Sequence, residues 1–88
     1  MKSKLKIYKN GDKYWKLPNG KLHREDGPAF IRIVNDYKAW YINNKLHRED
    51  GPAVEMGHFK EWYLNDKIYT EEEHKKKMRL EKLKQILD

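Results

Sequence analysis

The sequence predicts a mainly β protein, an antiparallel meander of stacked β-hairpin repeats capped by one C-terminal α-helix. Three observations carry this expectation. Residues 21–29 and 45–53 spell the same nine letters, Lys-Leu-His-Arg-Glu-Asp-Gly-Pro-Ala, at an offset of 24 in a chain of 88 residues. An identity that long marks an internal repeat. Short β-branched and aromatic runs alternate with Asn, Asp and Gly turn signals. After Thr70 the apolar spacing changes from strand-like to helical.

Taken in order, the chain opens on a strand in which Lys4 and Lys6 alternate with Leu5 and Ile7. Lysines on an edge strand discourage edge-to-edge pairing. Residues 7–13 read as a degenerate opening unit. A first full unit covers about 14–34, a second about 39–56, and a degenerate third begins at 61. Each unit starts on an aromatic pair, Tyr14-Trp15, Trp40-Tyr41 or Trp62-Tyr63, and ends its second strand on Asn19-Gly20, Asn43-Asn44 or Asn65-Asp66, residue types that tolerate positive φ. Pro28 and Pro52 open strands, where a missing N–H costs least. Gly27 and Gly51, just before them, are expected in a conformation that side chains disfavour. Residues 1–69 thus form the repeat sheet and 70–88 the capping helix. Thr70 and Glu73 make a capping-box pair, Glu71 to Glu73 suit the helix start, and Leu80, Leu83 and Leu87, flanked by Met78 and Ile86, supply a docking face over the last strand.

Composition narrows the function. The chain has no cysteine, which excludes a disulfide framework, a thiol nucleophile and a zinc finger or ribbon. It fits a reducing compartment, and no secretory signal or membrane-length apolar run is visible. The formal net charge is +6. Residues 1–20 carry six lysines against one acid, Asp12, a balance of +5. Residues 21–69 are neutral, with eight basic and eight acidic side chains. The excess is a basic arm rather than a basic protein.

Two features invite a chemical reading. His-Arg-Glu-Asp at 23–26 and 47–50 could ligate a metal or move protons. Catalysis needs one constellation rather than tandem copies, and four consecutive residues cannot converge on a point. The motif residues His23, Arg24, Glu25, Asp26, Gly27, Pro28, His47, Arg48, Glu49, Asp50, Gly51 and Pro52 are therefore read as structural. Asp26 and Asp50 are expected to bond turn N–H groups, Arg and Glu to pair with neighbouring units, and His to pack on an aromatic ring. No catalytic residue, metal ligand or cofactor is assigned. Adjacent strand residues point to opposite faces, so one member of each aromatic pair should enter the core while the other forms an exposed ladder. Tyr14, Trp40, Tyr41, Trp62 and Tyr63, with Lys4 and Lys6, are the candidate partner-binding residues. Base stacking and phosphate contact through the Lys2–Lys16 region form the alternative.

The stretch from Trp40 to Ala53 resembles the HREDGPA-type tandem repeat of many small phage, giant-virus and bacterial proteins, with a consensus close to W-Y-x-N-G-K-x-H-R-E-D-G-P-A-x. These repeats are similar in layout to MORN-type repeats, β-hairpins stacked into a curved sheet. The resemblance covers about residues 14–69, carries Trp40 and His47 to Pro52 as its motif residues, and includes Trp15 and residues 23–28 as the earlier copy. Asn44 departs from it by replacing the usual glycine, and Ile68-Tyr69-Thr70 abandons the motif. Short phage-encoded members imply a non-enzymatic inhibitor of a host or defence enzyme, anti-CRISPR proteins among them, acting by protein contact in the cytoplasm of an infected bacterium. The open N-terminal edge and the leucine-rich helix leave both a monomer and a homodimer in view.

Overall fold

The computed structural model describes residues 2–87; Met1 and Asp88, the outer ends of the two expected segments, lie outside the described residues. Nine strands and one helix follow the chain: β1 (Lys4–Ile7), β2 (Lys13–Lys16), β3 (Phe30–Arg32), β4 (Tyr37–Ala39), β5 (Tyr41–Ile42), β6 (Lys45–Leu46), β7 (Val54–Met56), β8 (Phe59–Leu64), β9 (Lys67–Tyr69) and α1 (Glu71–Leu87). Seven strands form one antiparallel meander in the order β1-β2-β3-β4-β7-β8-β9, and β5 with β6 makes a two-stranded ribbon. The expected class, a mainly β meander with a C-terminal helix, is the observed one.

Each unit is built on one extended strand that serves two neighbours. In the third unit, Phe59 to Glu61 of β8 pair back to β7, and Trp62 to Leu64 pair forward to β9. In the second, β4 pairs with β3 and β7, while β5, one residue further on past Trp40, pairs with β6. In the first, β2 ends on a single bridge between Lys16 and Leu22. The forward halves close through two-residue turns. Asn43 and Asn44 have φ of 49° and 67°, and Asn65 and Asp66 have 50° and 69°. Two consecutive left-handed residues match the twist of a tight hairpin.

The register sorts side chains onto two faces. One face carries Lys6, Tyr14, Phe30, Ala39, Val54 and Glu61 in a continuous row, with Tyr37, Met56 and Phe59 in the next. The other carries the row Ile7, Lys13, Ile31, Lys38, Glu55 and Lys60, with Trp15 opposite Leu5. We call these the tyrosine and tryptophan faces. The core is small: Ala29, Phe30, Ala39, Ala53, Val54 and Leu64. The backbone of Ala29 is tied on both sides, its N–H to Ala39 and its C=O to Trp15, and Ala53 is tied likewise to Glu61 and Trp40. All six residues of the aromatic pairs are half-buried, so neither member of a pair reaches the core. The third extent is only 17 Å, and Phe30 is the one Phe, Tyr or Trp buried among the described residues. Asp12, the one acid of the first twenty residues, is buried and pins the first hairpin by accepting the Ile33 N–H at 2.9 Å.

The helix begins as the sequence indicates but rotates differently. Glu73 N–H donates to Thr70 Oγ1 at 3.1 Å, and Thr70 N–H donates to Glu73 Oε1 at 2.9 Å, a reciprocal capping box. The expected leucine docking face is not the one used. Leu80, Leu83, Ile86 and Leu87 are 50%, 48%, 77% and 82% exposed. The covered stripe is His74, Met78 and Glu81, at helical spacing. A buried polar bond sets this rotation: His74 is 3% exposed and its Nε2 lies 2.7 Å from the Arg48 carbonyl. The helix leans on β8 and β9 over the tryptophan face, beside Lys60, Trp62 and Leu64. Among the described residues, no helix is long and apolar enough to cross a membrane.

Replacing Thr70 with Ala is expected to destabilise the protein by about 1 kcal/mol, the usual value of an N-cap hydroxyl, read as a lower urea midpoint. The bonds from Thr70 hold the Glu73 carboxyl below its ordinary 4.5. Its support is therefore present above that pH and is lost as pH falls through the depressed value. Glu73→Gln removes that transition, and Thr70→Ala, which keeps the backbone N–H bonded to Glu73, only diminishes it.

Candidate functional site

The repeated motif folds into a loop that returns its arginine to the tryptophan of its own unit. The Arg24 guanidinium carbon lies 3.9 Å from the Trp15 ring centroid, and Arg48 lies 3.9 Å from that of Trp40. Arg24 Nε donates to Asp26 Oδ1 at 2.9 Å and its Nη1 to the Pro28 carbonyl at 3.2 Å. Arg48 repeats this with Asp50 at 3.0 Å and Pro52 at 3.0 Å. Arg48 also reaches Glu55 of the next strand at 3.6 Å. The expected bonding of the aspartates to turn N–H groups is replaced by this pairing, because the loop brings residues i and i+2 side by side over the ring. The bond and charge of Arg24 hold the Asp26 carboxyl below its ordinary 3.8.

Gly27 and Gly51 are explained by space rather than by φ. Neither has positive φ, contrary to expectation. A Cβ on Gly27 would stand 2.8 Å from the Arg24 guanidinium carbon, and one on Gly51 2.9 Å from that of Arg48. Each guanidinium thus lies with an indole and a bare glycine as its neighbours.

The histidines join units rather than pack on rings. His23 Nδ1 accepts the Asn43 N–H at 3.0 Å, and His47 Nδ1 accepts the Asn65 N–H at 3.1 Å. With Nδ1 accepting, the neutral ring keeps its proton on Nε2, which faces Glu25 at 3.5 Å or Glu49 at 3.4 Å. The motif glutamates therefore pair with the histidine of their own unit, not with a neighbouring one. The next turn residue completes the join. Asn44 N–H donates to the Leu22 carbonyl at 2.7 Å while its Oδ1 accepts the Leu22 N–H at 3.4 Å. Asp66 does the same with Leu46 at 2.8 and 2.7 Å. Asn44, the departure from the repeat consensus, thereby supplies an acceptor that glycine lacks.

The tyrosine face is flatter. Tyr14 stacks on Phe30 with centroids 4.6 Å apart, Tyr8 meets Tyr14 edge-on at 4.7 Å, and Phe30 meets Tyr37 at 5.6 Å. Cations lie along it: Lys6 is 5.5 Å from Tyr8, Lys16 5.3 Å from Tyr14, and Arg32 5.4 Å from Phe30. Burial pushes the Tyr41 and Tyr63 phenols above their ordinary 10.0, and Tyr63 bonds Glu61 at 3.3 Å. Lys4 stands opposite Lys16 and Lys6 opposite Tyr14.

The candidate residues therefore separate. Tyr14, with Lys4 and Lys6 on the neighbouring strand, belongs to the tyrosine face with Tyr41 and Tyr63, whereas Trp40 and Trp62 lie on the other side, Trp40 under Arg48. Phe30, Tyr37, Arg32 and Phe59 join the tyrosine face by register. Their period-2 spacing could have flagged them beside Tyr14. Among the described residues, no three His, Asp or Glu side chains cluster to hold a metal ion. No family model, curated protein or solved structure matches the chain.

Gly51→Ala is expected to cost about 1–3 kcal/mol, the usual range for overpacking, in urea unfolding, with a change in tryptophan fluorescence as Arg48 leaves Trp40. Arg24→Gln should return the Asp26 carboxyl toward 3.8, followed by side-chain NMR titration.

Proposed function

We propose that this chain is a non-enzymatic binding module acting through protein–protein contact. By its resemblance to HREDGPA-type repeat proteins, it is a phage-encoded inhibitor of a host or defence enzyme such as a CRISPR effector. One observation carries the binding reading: the side chains best suited to chemistry are already spent on architecture. Both motif histidines, both arginines and their acidic partners are engaged in bonds that hold or join units. What is left outward is a broad aromatic face bordered by cations, with Met56 and Phe59 at a hairpin end 37% and 50% exposed. Tyr, Phe, Met and Arg are the residue types enriched where proteins meet.

A second reading rests on Lys4, Lys6 and Lys16 beside the Tyr8 and Tyr14 rings. Cations next to stacked aromatics also suit a single nucleic-acid strand, bound without sequence preference and with steep salt dependence.

One experiment separates the two. The tagged protein, with its Tyr41→Ala/Tyr63→Ala variant, is used to capture partners from bacterial extract before and after nuclease treatment. The expected outcome is a protein retained by the parent and weakened at least about tenfold by the double variant, as for a hot-spot pair. Capture that disappears with nuclease and falls with added salt supports the nucleic-acid reading. Equal capture by both forms removes the tyrosine face from the account.

A further inference from the structure

Three tryptophans recur once per unit, all half-buried, and two of them carry a guanidinium. Trp15 and Trp40 each carry the guanidinium of their own motif at 3.9 Å. In the third unit the arginine position is Thr70, and among the described residues no Lys or Arg lies over the Trp62 ring. The helix that replaces the motif leaves a cleft of about 550 Å³ above Trp62, walled on the opposite side by the Glu49–Pro52 loop. That volume is in the range that takes a small organic ligand, roughly 300–1,000 Å³.

The charges around the cleft select the ligand. Two of its acids face a cation, Asp50 with Arg48 at 3.0 Å and Glu71 with Lys75 at 3.3 Å. Glu49 faces the His47 Nε2 at 3.4 Å and keeps its charge, one acid against the three cations that follow. Lys60, Arg79 and Lys82 also line it, all three are exposed, and none forms an ion pair among the described residues. A guanidinium, the occupant of the two earlier seats, would here meet three uncommitted cations. A planar group carrying negative charge would meet an indole and three donors.

We propose that the Trp62 cleft binds a nucleotide, the base stacked on Trp62 and the phosphate held by Arg79, Lys82 and Lys60. The phosphate-bearing base could come from a free mononucleotide or from a single strand, since both present the same group. The site lies on the tryptophan face, so it stands apart from protein contact through the tyrosine face.

The three indole N–H signals of the ¹⁵N-labelled protein report directly on this. They are followed during titration with a nucleoside 5′-monophosphate, the matching nucleoside, inorganic phosphate and a short single-stranded oligonucleotide. The expected result is that the monophosphate or the oligonucleotide moves the Trp62 signal and leaves those of Trp15 and Trp40 in place. Trp62→Leu and Arg79→Glu should each weaken binding at least about tenfold, as loss of a stacking platform or a phosphate contact does. Arg79 is exposed on the helix, so its variant tests the site without disturbing the fold. An oligonucleotide about tenfold tighter than the monophosphate identifies a strand as the source, and the reverse identifies a free nucleotide. The proposal is overturned if no signal moves at millimolar ligand, if all three indoles move together, or if phosphate alone or nucleoside alone binds as tightly as the monophosphate.

Discussion

A guanidinium lying on an indole, with a glycine beside it and an aspartate and a proline carbonyl bonded to its edge, organises most of this molecule. The sheet alone has little to hold it: its buried residues are three alanines, one valine, one leucine and a phenylalanine. Cation–π contact of this kind gains when both partners are partly withdrawn from water, and the Arg24 and Arg48 side chains are only 24% and 22% exposed. Arginine suits the role because its planar fork can stack and donate in two directions at once. Seven of the nine letters of the repeated block, from histidine to alanine, then have a physical reason. Histidine joins the next unit, arginine caps the ring, glutamate faces the histidine, aspartate fixes the arginine, glycine makes room, proline lends its carbonyl, and alanine sits where backbone bonds crowd from both sides.

Much of the architecture was legible beforehand because it rests on local rules. The nine-letter identity marked the unit, paired Asn and Asp residues marked turns that need left-handed backbone, and Thr70 with Glu73 marked a helix start. The roles inside the block were not legible, since they depend on where a loop returns. A string reading His-Arg-Glu-Asp cannot show that Arg folds back on a tryptophan eight or nine positions earlier, or that His reaches twenty or eighteen positions forward to a turn. The helix rotation failed for a related reason. Leucine spacing argued for one face, but the helix turns His74 inward to bond the Arg48 carbonyl, a partner 26 positions back that no local spacing rule reveals.

Of the candidate site, the alternation of Tyr and Trp onto opposite sides followed from strand geometry, and the register confirms it. What alternation could not supply was the inequality between the faces. The tryptophan side is occupied by motif loops and the helix, while the tyrosine side carries a flat run of rings and cations. A thin sheet bearing different chemistry on its two sides can meet two different kinds of molecule without either contact disturbing the other.

The joins between units also have a direction. Leu22 and His23 are received by Asn43 and Asn44, and Leu46 and His47 by Asn65 and Asp66, always from one unit to the one after it. The stack is therefore polar, like a row of hooks and eyes. At its N-terminal end β2 pairs with β1, and at its far end His74 of the helix meets the Arg48 carbonyl. A stack wired this way can gain or lose whole units between those ends, each new unit bringing both its hook and its eye. Its length is thus adjustable in steps of one hairpin, and with it the span of surface the protein presents.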